Sequence, residues 1–217
     1  MAAKKITKAK TDWSVAVKPL IKQYKGKRHP LDYENIYQLL VMVVLSAQTT
    51  DNLINSIAPK LFEAFPNMTS LSKISAESLY PYINKVRGFN KKADWLIKIA
   101  QQIKTDKKIP LSMKELVNLP GIGRKSANVI MREAKVKAEG VIVDLHVVRV
   151  AQRLGIAKND DPKKMEHEIM ANVSEKDWGE IGMAISFLGR EICRPTNPKH
   201  KECVMNQVCQ YYRLLKK

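Results

Sequence analysis

The chain has few cysteines and few aromatic residues, and it lacks a long apolar segment. Of its 217 residues, three are cysteine and 6% are aromatic. The longest purely apolar run, residues 39–45, is far shorter than the roughly 18 residues that a membrane span needs. The first residues contain no apolar signal-peptide core, and an odd number of clustered cysteines argues against a disulfide framework. We therefore expect neither a membrane protein nor a disulfide-stabilised secreted domain.

Acidic residues are scarce beside basic ones. The sequence has 38 lysines and arginines against 21 aspartates and glutamates, which gives a net charge of +17 and a pI near 9.8. Such an excess predicts a polyanionic partner, and nucleic acid fits better than a membrane surface because no Lys-rich helix with an aromatic face is visible. The basic N-terminus, with Lys4, Lys5, Lys8 and Lys10, is interpreted as a solvated arm rather than a transit peptide.

Helical periodicity dominates the sequence, and strand-like alternation is almost absent, so we expect an all-α fold. The expected helices cover residues 13–24, 33–47, 50–65, 75–86, 91–104, 113–118, 125–134, 145–154, 163–173 and 177–192. A discontinuous organisation is expected, with a six-helix domain at 30–137 and a terminal helical domain made of 1–29 and 138–217.

The segment Leu-Pro-Gly-Ile-Gly-Arg-Lys-Ser-Ala at 119–127 is the most informative motif. Two expected helices flank it, which predicts a helix-hairpin-helix, although an ordinary glycine-containing loop is the alternative. Gly121 and Gly123 can take positive φ, and the backbone N–H groups that follow lie at a helix N-terminus, where anions bind well. The segment therefore predicts a sequence-independent grip on a phosphate backbone.

Lys125 and Asp144, nineteen positions apart, are the candidate chemical groups. A partly deprotonated lysine can attack a sugar C1′ and form a Schiff base, and burial or a nearby cation such as Arg124 favours the neutral amine. A carboxylate can stabilise the positive charge that develops as a glycosidic bond breaks. The alternatives are a phosphate contact for Lys125 and a helix N-cap for Asp144, and the second does not exclude catalysis.

These residues resemble the endonuclease III family of DNA glycosylases. The resemblance covers about residues 13–212 and rests on segments 119–127 and 143–150, on Leu-Ser-Ala-Gln-Thr-Thr-Asp at 45–51 and on the C-terminal cysteines. It implies excision of oxidised pyrimidines from duplex DNA, which would lie in a cleft between two lobes, and nicking of the abasic site by β-elimination. Lys125 would be the Schiff-base lysine and Asp144 the catalytic aspartate. Gln48 would fill the gap left by the extruded base, and Gly121, Ile122 and Gly123 would hold a phosphate.

The sequence departs from the family pattern in three places. Gly88 stands where a leucine wedge is usual, so the neighbouring Phe89 either wedges instead or packs in the core. Leu145 stands beside Asp144 where many relatives carry threonine. His200 replaces one of four cysteines, so that the ligand set becomes Cys193, His200, Cys203 and Cys209.

That ligand set leaves the cofactor open. The resemblance favours a 4Fe-4S cluster. Three thiolates and one imidazole are equally a common ligand set for zinc, which is the second alternative. The third alternative is that no metal binds. In each case with metal, the loop would present Lys199 and Lys201 to phosphates.

The resulting hypothesis is a bifunctional DNA glycosylase and abasic-site lyase that acts on double-stranded DNA with a damaged base or an abasic site. We expect a monomer without membrane association, cytoplasmic and nucleoid-associated if bacterial. The alternatives are a monofunctional mismatch or adenine glycosylase of the same superfamily and a non-catalytic helix-hairpin-helix module.

Overall fold

Helices are the only regular elements in residues 11–215, the part of the chain that this computed structural model describes. The all-α class expected from the sequence is therefore confirmed. No helix in that range is long and apolar enough to cross a bilayer. The basic arm predicted for the first ten residues lies outside the described range.

The α-helices of this range are short and are joined by turns and single 3-10 turns. Their bounds are α1 Trp13–Ala16, α2 Lys18–Tyr24, α3 Ile36–Leu45, α4 Asp51–Ala64, α5 Met68–Leu71, α6 Tyr80–Ile83, α7 Phe89–Ile103, α8 Met113–Leu116, α9 Arg124–Glu133, α10 Leu145–Leu154, α11 Pro162–Asn172, α12 Trp178–Glu191 and α13 Gln210–Leu215.

One compact unit consists of residues 26–142, where the sequence analysis expected 30–137. The described part of this unit has seven α-helices rather than the expected six, because α5 is an additional helix of four residues. Helix α3 is its centre, since nine of its ten residues are buried. Asn35 begins α3 by accepting a hydrogen bond from the Gln38 N–H, and Thr50 begins α4 in the same way at Leu53.

The other unit combines residues 11–25 with 143–215. Helices α10 and α12 form its main packing pair, and they meet closely at Gly189. A Cβ added to Gly189 would lie 2.9 Å from the His146 Cβ and 3.0 Å from the Val150 Cγ2. Glycine at this position therefore permits the close approach of the two helices that places Asp144, at the start of α10, beside α12.

Several expected elements end or break differently in the structure. The helix expected over 13–24 is interrupted at Val17, after which Pro19 occupies the first turn of α2, where its missing N–H costs nothing. The helix expected over 75–86 is a 3-10 turn at Ala76–Leu79 followed by α6. Helices α5 and α13 had no sequence prediction, since both are too short to show a full helical period.

Candidate functional site

The segment between α8 and α9 forms a tight turn. Pro120 occupies its second position and Gly121 its third, with φ of +79°, and the Ile122 N–H donates to the Leu119 carbonyl at 3.2 Å. Proline followed by a positive-φ glycine is typical of a type II turn. The prediction for Gly121 is thus confirmed, whereas that for Gly123 is wrong: its φ is −94°, in the extended region.

Helix α9 begins directly after this turn with no side chain capping it. Gly123 is the N-cap residue and offers no side-chain oxygen to the N–H groups of the first helical turn. Ile122 is buried and anchors the turn, while Gly121 and Gly123 are exposed. Because the first N–H groups of a helix lack partners inside the helix, this end can accept an anion from outside.

Lys125 lies in the first turn of α9, and its side chain is exposed. The burial expected from the sequence as one source of activation for this amine is therefore not found in the free protein. Arg124, the expected neighbouring cation, is half-buried beside it. Exposure leaves the amine accessible to a substrate from solvent.

The indole ring of Trp95, on α7, packs against the turn at Gly121. A Cβ added to Gly121 would lie only 2.4 Å from the Trp95 Cε3 and 3.0 Å from its Cδ2, so the glycine backbone rests on the indole face. The Lys91 ammonium lies 5.1 Å from the centre of the same ring, within cation–π range. Sequence reasoning missed this support, because Trp95 precedes the turn by one helix and a long connection.

Asp144 is the N-cap of α10, as its alternative interpretation predicted. One carboxylate oxygen accepts a hydrogen bond from the Val147 N–H at 2.8 Å. The other accepts the hydroxyl of fully buried Ser186 at 2.6 Å and lies 3.9 Å from the Arg190 guanidinium. The Arg190 Nε also approaches the Ser186 hydroxyl oxygen at 3.5 Å. These contacts fix the orientation of the carboxylate.

Ser186 and Arg190 were not identified from the sequence. They lie four residues apart on α12, so they share one face of the helix and both point toward Asp144. A serine in the middle of a buried helix is a weak signal that its hydroxyl has a polar partner. Lys125 and Asp144 belong to different units, and the structure describes the surroundings of each within its own unit.

Gln48 follows the end of α3 in an unusual backbone conformation. Its φ is +56°, its side chain is exposed, and the ammonium of Lys92 lies beneath the turn that carries it. Gly88, with φ of +66°, precedes α7 and is exposed. Phe89 is half-buried and meets Tyr80 edge-on at 5.1 Å. Of the two alternatives for Phe89, packing matches this contact in the free protein.

Three thiols and one imidazole line a single cavity of the C-terminal loop. Cys193, His200, Cys203 and Cys209 all contribute to its wall, and the His200 ring stacks on Tyr212 with centroids 4.7 Å apart. Burial raises the pKa of the Cys203 and Cys209 thiols, and charge on the neighbouring thiols raises it further. Cys203 and Cys209 therefore favour the neutral thiol unless a cation joins them.

Three thiols and one imidazole around one cavity are a donor set that zinc and iron–sulfur clusters both use. Zinc requires four ligands about 2.0–2.3 Å from one centre. Within residues 11–215, no three side chains of His, Cys, Asp or Glu converge closely enough to hold one metal ion. A multi-iron cluster accepts ligands that stand further apart around a shared cavity, and thiolates are its usual ligands. The structure confirms neither cofactor, but its arrangement of thiols is compatible with a cluster.

Two arginines of α10 anchor the start of this loop. Arg149 donates to the carbonyl oxygens of Gly189, at 2.9 Å, and Cys193, at 3.2 Å. Arg153 donates to the Arg194 carbonyl at 2.8 Å, and its Nη1 lies 3.5 Å from the Cys193 Sγ. The same helix therefore begins at Asp144 and ends against the cysteine loop. Lys199 and Lys201 are exposed on this loop, and Lys199 pairs with Glu202 at 3.2 Å.

Comparison with known proteins defines the class to which this arrangement belongs. Residues 41–175 match the family model described as HhH-GPD superfamily base excision DNA repair protein. This span includes the turn, Lys125 and Asp144. The chain therefore belongs to the HhH-GPD superfamily of base excision DNA repair proteins, and a DNA glycosylase is the kind of enzyme this membership supports.

Its relatives within that class are endonuclease III proteins. The chain is 35% identical over 192 residues to endonuclease III of Synechocystis sp., covering 88% of each protein, and 33% identical to that of Bacillus subtilis, covering 83% of each. A solved endonuclease III trapped as a covalent intermediate with DNA superposes with a TM-score of 0.81 at 28% identity, covering 93% of this chain and 96% of that one. The resemblance stated from the sequence is thus confirmed.

Proposed function

We propose that the protein removes oxidised pyrimidines from duplex DNA and cleaves the resulting abasic site through a lysine Schiff base. The observation that carries this proposal is the uncapped N-terminus of α9, which follows the Gly121 turn and bears exposed Lys125 in its first turn. The N–H groups there would bind a DNA phosphate, and the adjacent amine would face the sugar. Similarity to endonuclease III solved with DNA in covalent and non-covalent complexes supports the choice of substrate.

The first chemical step joins Lys125 to the sugar. The unprotonated Nζ attacks C1′ of the extruded nucleotide, the C1′–N bond breaks, and the bonding electron pair leaves with the base. A damaged base pairs and stacks less well than a normal one, so less energy is needed to extrude it. This difference favours oxidised pyrimidines as substrates. The bound nucleotide would exclude water from the exposed amine and so favour its neutral form.

Asp144 would stabilise positive charge at the sugar during this step. Its carboxylate already accepts hydrogen bonds from the Val147 N–H and the Ser186 hydroxyl, so it needs little reorientation as charge develops. The C1′–O4′ bond then breaks and a proton passes from the amine to O4′, so that the sugar ring opens and the imine forms at C1′. Loss of a C2′ proton from this imine expels the 3′ phosphate by β-elimination. Hydrolysis of the remaining imine returns the free Lys125 amine.

Gln48 would fill the gap left by the extruded nucleotide, with Gly88 and Phe89 contacting the opposite strand. Arg124, Lys199 and Lys201 would add phosphate contacts. Gln48 is exposed at the end of α3, as a group that enters a DNA duplex must be. Filling the gap offsets part of the energy of unstacking, which is a few kcal/mol.

We further propose that Cys193, Cys203 and Cys209, with His200 in the fourth place, hold a 4Fe-4S cluster. When bound, the cluster crosslinks the two ends of the loop and adds a redox-active group there. His200 is held in the wall of the shared cavity by stacking on Tyr212, which limits its rotation. The folded loop would then hold Lys199 and Lys201 against phosphates.

Borohydride trapping tests the central proposal. The protein should form a covalent complex with duplex DNA that contains thymine glycol or an abasic site, because borohydride reduces the imine to a stable amine. Lys125→Ala should abolish the complex, while Lys163→Ala, which removes an exposed lysine at the start of α11, should retain it. Base release without trapping would instead identify a monofunctional glycosylase. DNA binding with neither reaction would identify a non-catalytic binding module.

A further inference from the structure

Lys92 is a buried lysine that the proposed chemistry does not use. It lies on α7, and only 5% of its surface is exposed. Its ammonium donates to the Leu45 carbonyl at 2.8 Å and the Ala47 carbonyl at 2.5 Å, and it lies 3.4 Å from the Thr49 hydroxyl. All three ammonium donors therefore have an acceptor in a single short segment.

These acceptors surround the turn that carries Gln48. Leu45 is the last residue of α3, and the carbonyls at a helix C-terminus lack partners within the helix and carry partial negative charge. Lys92 satisfies the Leu45 carbonyl and then reaches past the helix end to Ala47 and Thr49. The ammonium thus binds the residues immediately before and after Gln48.

Gln48 itself is in a conformation that needs external support. Its φ of +56° lies in the left-handed region, which residues other than glycine rarely adopt. Such a backbone conformation persists only where surrounding contacts enforce it. The Thr49 N–H also donates to the Ser46 carbonyl at 3.0 Å, which closes the turn. With both flanking residues bound to one buried cation, the backbone has little freedom to relax.

We propose that Lys92 is a positioning residue that holds the 46–49 turn in its left-handed form and so directs Gln48 toward the gap in the DNA. The assignment of Gln48 to that gap rests on the proposed function, whereas the hold of Lys92 on the turn does not. The ammonium is buried beneath the turn, so Lys92 is not one of the exposed lysines available to phosphates. Its effect reaches DNA through Gln48.

The first arm of the test measures the turn without DNA. Lys92→Met keeps most of the side-chain volume and removes the ammonium, and Lys98→Met is a matched control on an exposed face of the same helix. Hydrogen exchange at residues 46–50 should become faster in Lys92→Met and stay unchanged in Lys98→Met. Thr49→Val, which removes one acceptor, should give a smaller increase. Unchanged exchange in Lys92→Met would overturn the proposal, whatever the enzyme does.

The second arm measures the consequence for base removal. We expect Lys92→Met to slow single-turnover base release from duplex DNA by about tenfold to a hundredfold, as small misplacements of a substrate-positioning group do. Borohydride trapping on a single-stranded abasic site should be retained, because no stacked base must be replaced there, and retention would show that the variant is folded. Gln48→Ala should slow release in the wild-type background but add little to Lys92→Met.

The two arms separate the proposal from the proposed function. Absence of base release and trapping in the unmodified protein would refute the proposed function, while the exchange measurement would still decide whether Lys92 holds the turn. Faster exchange with normal base release, or full additivity with Gln48→Ala, would overturn the positioning role and leave Lys92 as a helix-end cap that only stabilises α3.

Discussion

Gly121 offers a sharp test of the turn between α8 and α9, because a single methyl group would meet two separate penalties. The first is conformational: with φ of +79°, an alanine would adopt a left-handed backbone that costs about 1–2 kcal/mol. The second is steric, since the added Cβ would lie 2.4 Å from the Trp95 Cε3, and overpacking of this kind costs about 1–3 kcal/mol. We expect Gly121→Ala to lower the free energy of unfolding by about 2–5 kcal/mol.

Two other glycines separate these penalties. Gly26 has φ of +76° but no atom within 4 Å of an added Cβ, so Gly26→Ala should lose only the conformational part, about 1–2 kcal/mol. Gly123 has φ of −94° and the same open space, so Gly123→Ala should meet neither penalty and should lose only the N-cap preference for glycine over alanine, about 0.5–1 kcal/mol. Urea unfolding followed by far-ultraviolet circular dichroism measures all three variants under identical conditions.

Trp95 supplies the decisive control. If the ring causes the steric part, Trp95→Ala should make the added methyl group of Gly121→Ala less damaging, and the double-mutant cycle should give a coupling energy of about 1–3 kcal/mol. DNA affinity should fall in Gly121→Ala, because the turn must shift away from the ring. Equal losses of stability in Gly121→Ala and Gly26→Ala, with no coupling to Trp95, would refute the close contact described here.

Three further predictions concern the site. Ser186→Ala should slow base release roughly tenfold to a hundredfold, because it removes a hydrogen bond to the Asp144 carboxylate. Ser56→Ala removes a hydroxyl bonded only to its own helix and should leave the rate unchanged. Equal rates of the two variants in single-turnover assays would contradict the role of Ser186. The purified protein should be yellow-brown and contain iron and sulfide. His200→Ala should lose iron, whereas the control His167→Ala, at an exposed histidine, should retain it. A colourless protein with stoichiometric zinc would exclude the cluster. DNA affinity should fall steeply with salt, and Lys201→Ala, which removes a proposed phosphate contact, should reduce the slope of log affinity against log salt by about 1. An unchanged slope would show that the Lys201 ammonium displaces no counterion.

Local features of the sequence predict much of the helical structure. Helix α10 was expected over residues 145–154 and has those bounds, because Asp144 is a favoured N-cap and Gly155 ends the helix in the left-handed region. The turn at Gly121 was likewise evident from Pro-Gly, since proline and glycine each favour one position of a type II turn. Helix ends of this kind depend on residues within four positions of one another.

The surroundings of the candidate site depend on contacts that are distant in sequence. The Lys92 ammonium binds the carbonyl oxygens of Leu45 and Ala47, which precede it by 47 and 45 residues respectively. The Ser186 hydroxyl binds Asp144, which precedes it by 42 residues. No local pattern marks either lysine or serine as a partner, because each role exists only once helices have packed. The exposure of Lys125 was also missed, since the number of neighbours around a side chain on a helix N-terminus is set by tertiary packing.

The sequence by itself determined the family, the all-α class, the position of the Gly121 turn and the two candidate chemical groups. Capping, turn formation and charge act over a few residues or over composition, so they can be recognised before the chain is folded. Only the tertiary structure decided which groups hold Asp144 in orientation, what supports Gly121 and which buried cation constrains the turn of Gln48. Hydrogen bonds and close contacts require two atoms within a few ångströms, and that proximity is created by packing rather than by sequence spacing.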